Sequence, residues 1–249
     1  MLSKNEIKNL RALNQKKFRD LERRFLLEGA RVVRDLLDRH PEKIACIFVT
    51  KSSLADFKHS TQVRVVEIDN QTLEQLTTSK SPQGVVALVN YPEQHFSDQD
   101  FILALDHVQD PGNLGTIIRT MAWFGFKQLV CSTNTVDFCN PKVAQATMGA
   151  LFDVQVIYTD LPTFLQEQNK PVYGALLSGV SLHQTQLIQP AILVMGNEGN
   201  GISEETQKFV NQPISIPKYG FGESLNVATA SAIFLHTFSA TQRFTNSKD

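Results

Sequence analysis

The chain has 249 residues, 42% of them apolar, and a formal net charge of −1, so it holds one large or two modest domains with a sizeable core. No apolar run approaches the roughly 20 residues that span a bilayer, and three scattered cysteines cannot form a disulfide framework. Residues 1–39 are charged throughout, which argues against a signal peptide and for a cytoplasmic protein.

The charge is unevenly spread. Residues 1–40 carry 11 Lys/Arg against 6 Asp/Glu, and the remainder carries 13 against 19. A basic front of this kind either holds a polyanion or is a solvated helix face. Within it, Ile7, Leu10, Leu13, Phe18 and Leu21 have helical spacing. Phe25-Leu26-Leu27 is a short apolar run closed by Glu28-Gly29, and Ala30–Arg39 reads as an amphipathic helix ended before Pro41. Strands are predicted over 44–49, 63–68 and 84–89, with a helix over 70–76 entered through a polar cap. Residues 1–90 therefore read as a small α/β domain, and 91–100, with Pro92 and no apolar periodicity, as a linker.

The second half, 101–249, alternates strand and helix more regularly. Strands are expected over 101–105, 128–131, 154–158, 172–177, 191–195 and 214–216. Helices are expected from the Asp110-Pro111-Gly112 turn to Gly125, over 141–151, 161–168 and 203–210, and from Val227 to Phe238. The strands are apolar on both faces, as in a mostly parallel sheet wrapped by helices.

Three polar, glycine-rich loops each follow an apolar strand. The first holds Asn113 at a helix start and Arg119 nearly two turns on. Read alone, Asn113 is as well explained as the helix cap and Arg119 as a surface ion-pair partner. The second, Met195 to Ser203, sets three glycines around Glu198. The third, Pro217 to Asn226, holds Gly220 and Gly222 and leads into a helix for which Ser224 is a candidate cap. Ligands of open α/β sheets sit at the carboxyl ends of the strands, where three such loops make a pocket. The second loop lacks the Lys-Ser/Thr ending of a P-loop, and no GxGxxG follows an early strand. His40, His59, His95, His107, His183 and His236 show no metal-ligand spacing; His107 lies nearest the first loop.

With these loops in hand, residues 101–240 closely resemble the SpoU family of RNA 2′-O-ribose methyltransferases, within the SPOUT superfamily. The resemblance rests on Asn113-Leu-Gly115-Thr-Ile-Ile-Arg119, on Leu193-Val-Met-Gly196-Asn-Glu198-Gly199 with Gly201-Ile-Ser203, and on Ile216-Pro217 with Ser224-Leu225-Asn226-Val227. Each motif alone is weak, but three in order are specific. Residues 1–90, with Phe25-Leu-Leu-Glu28-Gly29, more loosely resemble the substrate-binding domain, similar to ribosomal protein L30e, that precedes many family members.

The resemblance implies a deep trefoil knot in the catalytic domain and S-adenosylmethionine held largely by backbone near Gly196, Ile216 and Leu225. Met195, Asn197, Ser178 and Gly179 would lie close by. It implies transfer of a methyl group to a ribose 2′-oxygen, with Arg119 at the reacting oxygen and Asn113, Glu198, Ser224 and Asn226 holding the site in register. Arginine is a poor base at its ordinary pKa, which favours alkoxide stabilisation. No metal is implied, and family members are homodimers whose sites draw on both protomers. The two-domain form points to ribosomal RNA, with transfer RNA as the alternative substrate and a non-catalytic ribosome-associated RNA-binding factor as the alternative function. No role is carried onto Lys218, Tyr219 or Phe221.

Overall fold

The structure, a computed structural model, describes residues 2–58, 63–79 and 81–246. In chain order the elements are α1 (Lys4–Ala12), α2 (Lys16–Glu22), β1 (Arg24–Glu28), α3 (Ala30–Arg39), β2 (Ile44–Thr50), α4 (Leu54–Phe57), β3 (Val65–Ile68), α5 (Asn70–Leu76) and β4 (Val85–Asn90). There follow β5 (Phe101–Leu105), α6 (Pro111–Phe124), β6 (Gln128–Ser132), α7 (Pro141–Ala146), β7 (Gln155–Thr159), α8 (Leu161–Gln166), β8 (Val172–Ser181), β9 (Ala191–Met195), α9 (Glu204–Gln207), β10 (Gln212–Ser215) and α10 (Val227–Asn246). Two compact units emerge: Met1–Glu93 with Asp137–Phe152, and Gln94–Val136 with Asp153–Asp249. Among the described residues no helix is long and apolar enough to cross a membrane.

The first unit is a four-stranded mixed sheet in the order β1-β4-β2-β3, with β4 antiparallel to β1 and β2, and β2 parallel to β3. The helical spacing at its N-terminus resolves into two helices. The first is closed by a reciprocal capping box, in which Ser3 Oγ accepts from Glu6 N at 3.2 Å and Glu6 Oε2 from Ser3 N at 2.7 Å. Leu10 and Leu13 reach Leu26, Phe48, Ile68, Leu73 and Leu76 in one apolar cluster. Glu28, at the end of β1, is buried and accepts from the Thr77 hydroxyl, Thr78 N (2.7 Å) and Ser79 N (3.3 Å), which fixes the loop after α5.

Residues 137–152 belong to this unit although they follow β6 in sequence. Arg19, only 3% exposed, pairs with Asp137 Oδ2 at 2.6 Å and donates to the Leu13 and Asn14 carbonyls at 3.1 and 3.0 Å. Arg39 donates to Gly149 O at 2.5 Å. Expected over 141–151, helix α7 ends at Ala146 because Met148 (φ +50°) and Gly149 (φ +83°) turn the backbone left-handed.

The second unit carries a six-stranded parallel sheet in the order β10-β8-β9-β5-β6-β7. All five residues of β5 are buried. Ile102 and Ala104 face a cluster with Leu161, Phe164 and Leu165 from α8 and with Ile202 just before the cap of α9. Phe101 turns the other way, stacking on Phe126 (4.3 Å) and Phe238 (4.8 Å) beneath α10. Helices thus cover both faces, as the apolar strand runs predicted. Residues 91–100, expected as a linker, contain no helix or strand but are anchored: Tyr91 donates to Asp20 at 3.1 Å, and Ser97 N to Gln128 at 2.9 Å.

Two further boundaries differ from expectation. Helix α9 is one turn, not the whole of 203–210, and it is capped by Ser203. Strand β8 runs on to Ser181, past the end of β9, and its register against β10 slips between Pro213 and Ile214. There Gly179 lies so close that a Cβ would stand 2.5 Å from Ile214 backbone atoms.

Candidate active site

Along the sheet, β5, β6 and β7 proceed in one direction while β9, β8 and β10 lie on the other side of β5. The connections leaving β5 and β9 therefore diverge, and the crevice between them is where doubly wound sheets bind ligands. Both loops of interest arise there.

After β5, buried Asp106 accepts from Ser203 N and Ser203 Oγ at 2.8 and 2.7 Å, tying this loop to the cap of α9. His107 adopts φ +58°, and its carbonyl accepts from Asn197 Nδ2 at 2.8 Å. Asp110 is the cap of α6: its side chain accepts from Asn113 N at 2.9 Å, with Pro111 in the first helical position. Asn113, a candidate cap from sequence, is thereby released to point its amide elsewhere.

After β9, Asn197 and Gly201 exchange backbone hydrogen bonds of 2.8 and 3.0 Å, and Asn197 Oδ1 accepts from Gly199 N and Asn200 N. This closed turn lifts Glu198 to its tip. Gly196 is demanded by the turn, since a Cβ there would meet Gly201 C at 2.1 Å. Glu198 accepts from Asn113 Nδ2 at 2.9 Å, Asp110 N at 3.2 Å and Gln109 N at 3.3 Å. Partial burial works against its charge, but the Asn113 amide and these backbone donors outweigh it and hold the carboxyl below its ordinary value.

After β10, the third loop returns to the same place. Asn226, not Ser224, caps α10: its Oδ1 accepts from Ala228 N at 2.9 Å and Thr229 N at 3.3 Å. With the oxygen so committed, its Nδ2 donates to Asn113 Oδ1 at 2.9 Å. The result is a directional chain, from the α10 amides through Asn226 and Asn113 to Glu198. Reversing either amide would set donor against donor.

The structure thus brings Asn113, Glu198 and Asn226 together. Arg119 lies further along α6, and its exposed side chain makes no hydrogen bond or ion pair among the described residues; the Ser224 side chain is likewise exposed and unbonded. Of the expected cofactor positions, Ile216 and Leu225 lie outside helix and strand, and their N–H groups make no hydrogen bond among the described residues. Two free main-chain donors on one loop fit a ligand held by backbone. Gly196 and Gly179 answer first to close packing of the chain itself, Met195 ends buried strand β9, and the Asn197 side chain is taken up by its turn. Ser178 sits exposed on the extension of β8. Of the histidines, His59 lies outside the described residues, and His107 bonds Asn134 at 3.1 Å. Among the described residues no group of His, Cys, Asp and Glu has the arrangement of a metal site.

Residues 100–236 match the SpoU rRNA Methylase family, and residues 4–87 match the MRM3-like substrate binding domain. The chain belongs to the SpoU rRNA methylase family. Among its relatives is the 23S rRNA (guanosine(2553)-2′-O)-methyltransferase RlmP of Bacillus subtilis, 30% identical over 239 residues that cover 94% of this chain and 96% of RlmP. A TrmH-family structure from Porphyromonas gingivalis is 38% identical, with a TM-score of 0.85 over 96% of this chain and 98% of that one. An AdoMet-bound rRNA methyltransferase from Sinorhizobium meliloti is 30% identical, with a TM-score of 0.81 over 98% and 96%. Within this SpoU framework, Asp106 and Asp110 are supporting residues to which the sequence reading gave no role, and Ser203, quoted in the second motif, supports Asp106. The signal for Asp110 was available, since Asp followed by Pro at a helix start is a capping pattern.

Proposed function

We propose that this protein transfers a methyl group from S-adenosylmethionine to a ribose 2′-hydroxyl of ribosomal RNA. The observation that carries the reading is the chain Asn226–Asn113–Glu198 at the fork of the sheet, in a member of the SpoU family. S-adenosylmethionine, when bound, supplies an electrophilic methyl carbon on a sulfonium. The free N–H groups of Ile216 and Leu225 would hold it. Arg119, unpaired and exposed on the same helix as Asn113, is assigned to stabilise the charge that develops on the 2′-oxygen as its proton passes to solvent water. Glu198, kept ionised by its donors, fixes Asn113, and Ser224 is available to the RNA. Most of the rate gain then comes from alignment of oxygen and methyl carbon.

The substrate is assigned to ribosomal RNA because relatives spanning nearly the whole chain are named for it. The first unit would carry the RNA, with Lys4, Lys8, Arg11, Lys16 and Lys17 exposed on α1 and about α2. We further assign the trefoil knot, a cytoplasmic location that suits three buried free thiols, and a homodimer, for which Trp123, 84% exposed on α6, offers apolar surface. The deciding experiment maps 2′-O-methyl groups in total RNA with and without the gene. One ribosomal position losing its methyl group names the substrate. A loss confined to transfer RNA, or none, overturns the assignment. Light scattering of the purified protein at twice the chain mass is expected for the dimer, and a monomer mass would refute it.

A further inference from the structure

The loop between β10 and α10 carries more than backbone donors. Its roots are fixed, by buried Ile214 on one side and by Asn226, bonded to Asn113, on the other. Between them Lys218 to Leu225 is exposed without interruption. Two aromatic rings stand on this span: Tyr219 is 86% exposed and Phe221 is 110% exposed, as open as in a free peptide. Among the described residues neither ring makes a hydrogen bond, ring contact or cation contact. Burying a phenylalanine side chain contributes about 2–3 kcal/mol, so a ring left wholly in water beside a reaction centre lacks the usual reason for being apolar.

The flanking glycines point the same way. A Cβ at Gly220 or Gly222 would meet nothing within 4 Å, so packing requires neither. Gly222 adopts φ +120°, a conformation other residues rarely take. Glycine at 222 serves this backbone conformation, which holds Phe221 outward, rather than relief from a clash.

We propose that Tyr219 and Phe221 form a stacking platform for an unstacked base of the RNA beside the ribose that is methylated, with Lys218 on the adjoining phosphate. This rests on the methyl-transfer reading. The chemistry selects the occupant. A ribose brought to Asn113 and Arg119 brings its base, and splayed RNA bases are held by aromatic faces. One cation followed by two aromatic residues on a loop is the composition that tracks single-stranded nucleic acid. It also agrees with a loop whose aromatic residues include no aliphatic neighbour until Leu225.

The test uses the whole protein, tritiated S-adenosylmethionine, and 23S rRNA purified from a strain lacking the gene. Failure of the wild type to methylate this RNA would remove the underlying reading and is distinct from failure of the stacking proposal. With an active wild type, Tyr219→Ala and Phe221→Ala are expected to raise KM for RNA about tenfold each, the loss of one stacked base. The Kd for S-adenosylmethionine by calorimetry and the solution mass are expected to stay unchanged. Phe221→Trp keeps a low KM, whereas Phe221→Leu does not, because stacking needs a π face and simple apolar burial does not. Unchanged KM in both alanine variants overturns the proposal, as does full rescue by leucine. A parallel loss of cofactor affinity would place the rings on the cofactor's adenine, and a changed mass would place them at a subunit contact; either also overturns it.

Discussion

Asn226 performs two tasks with one amide, and the first determines the second. By capping α10 with its oxygen it can present only its nitrogen to Asn113, which in turn can present only its own nitrogen to Glu198. The carboxylate is therefore the terminus of a polarised chain that starts in a helix. Because its folded pKa lies below the ordinary 4.5, the stability it contributes is present above that value and is lost as pH falls through the lower folded value. Glu198→Gln is thus expected to lower the unfolding free energy at pH 7, read by urea denaturation, by about 1 kcal/mol for charged hydrogen bonds in partial solvent. The gap from wild type should narrow as pH falls below 4.5 and through the lower folded value; a gap independent of pH would count against the carboxylate's role. Arg119 is the opposite case, with no partner to lose. Arg119→Ala should leave stability within about 0.5 kcal/mol and lower kcat about 10²- to 10³-fold, measured by denaturation and single-turnover methylation. Unimpaired turnover would remove Arg119 from the reaction. The three glycine-rich loops were legible as a set because each follows a strand, and the family resemblance singled out Asn113, Glu198 and Asn226 within them. It did not show which asparagine caps which helix, since Asn113, Ser224 and Asn226 are all acceptable caps by residue type.

Among the elements, strands were readable wherever both faces are buried, as in β5 and β9, because their apolar runs are continuous. Helix ends were less so. The end of α7 depends on Met148 taking a left-handed conformation, which its side chain does not announce. Glycines separate into two kinds, and stability measurements should distinguish them. Gly196 is held by contact, since an added Cβ would stand 2.1 Å from backbone that no side-chain rotation can clear. Gly196→Ala is expected to cost about 3 kcal/mol by thermal unfolding. Gly125 caps α6 at φ +79° with open space around it, so Gly125→Ala should cost only about 1 kcal/mol, the strain of the left-handed region. Equal effects would mean that the turn at Gly196 yields more easily than its geometry suggests.

For the molecule as a whole, chain order and folding unit do not coincide. Residues 137–152 were read from sequence with the second half, because their helical pattern follows β6 in regular alternation. The Arg19–Asp137 pair and the packing of α7 on β1 place them with the first. Nothing in either sequence segment names a partner 118 residues away. Asp137→Ala leaves the guanidinium of Arg19 buried and uncompensated, and should destabilise the first unit by about 3–5 kcal/mol. Joint replacement, Arg19→Met with Asp137→Leu, should recover much of this because no charge is then stranded. Hydrogen exchange in α7 would report both, and unchanged protection in Asp137→Ala would show that the pair does not hold the segment.

That arrangement bears on how the protein is made. A ribosome delivers residues 1–93 first, yet the segment that neutralises Arg19 and covers β1 is complete only at Phe152. At about 5–20 residues per second the nascent first unit waits several seconds for it. During that interval β5 and β6, two of the six strands of the second sheet, are already made. Synthesis therefore cannot deliver the whole first unit before part of the second has been made.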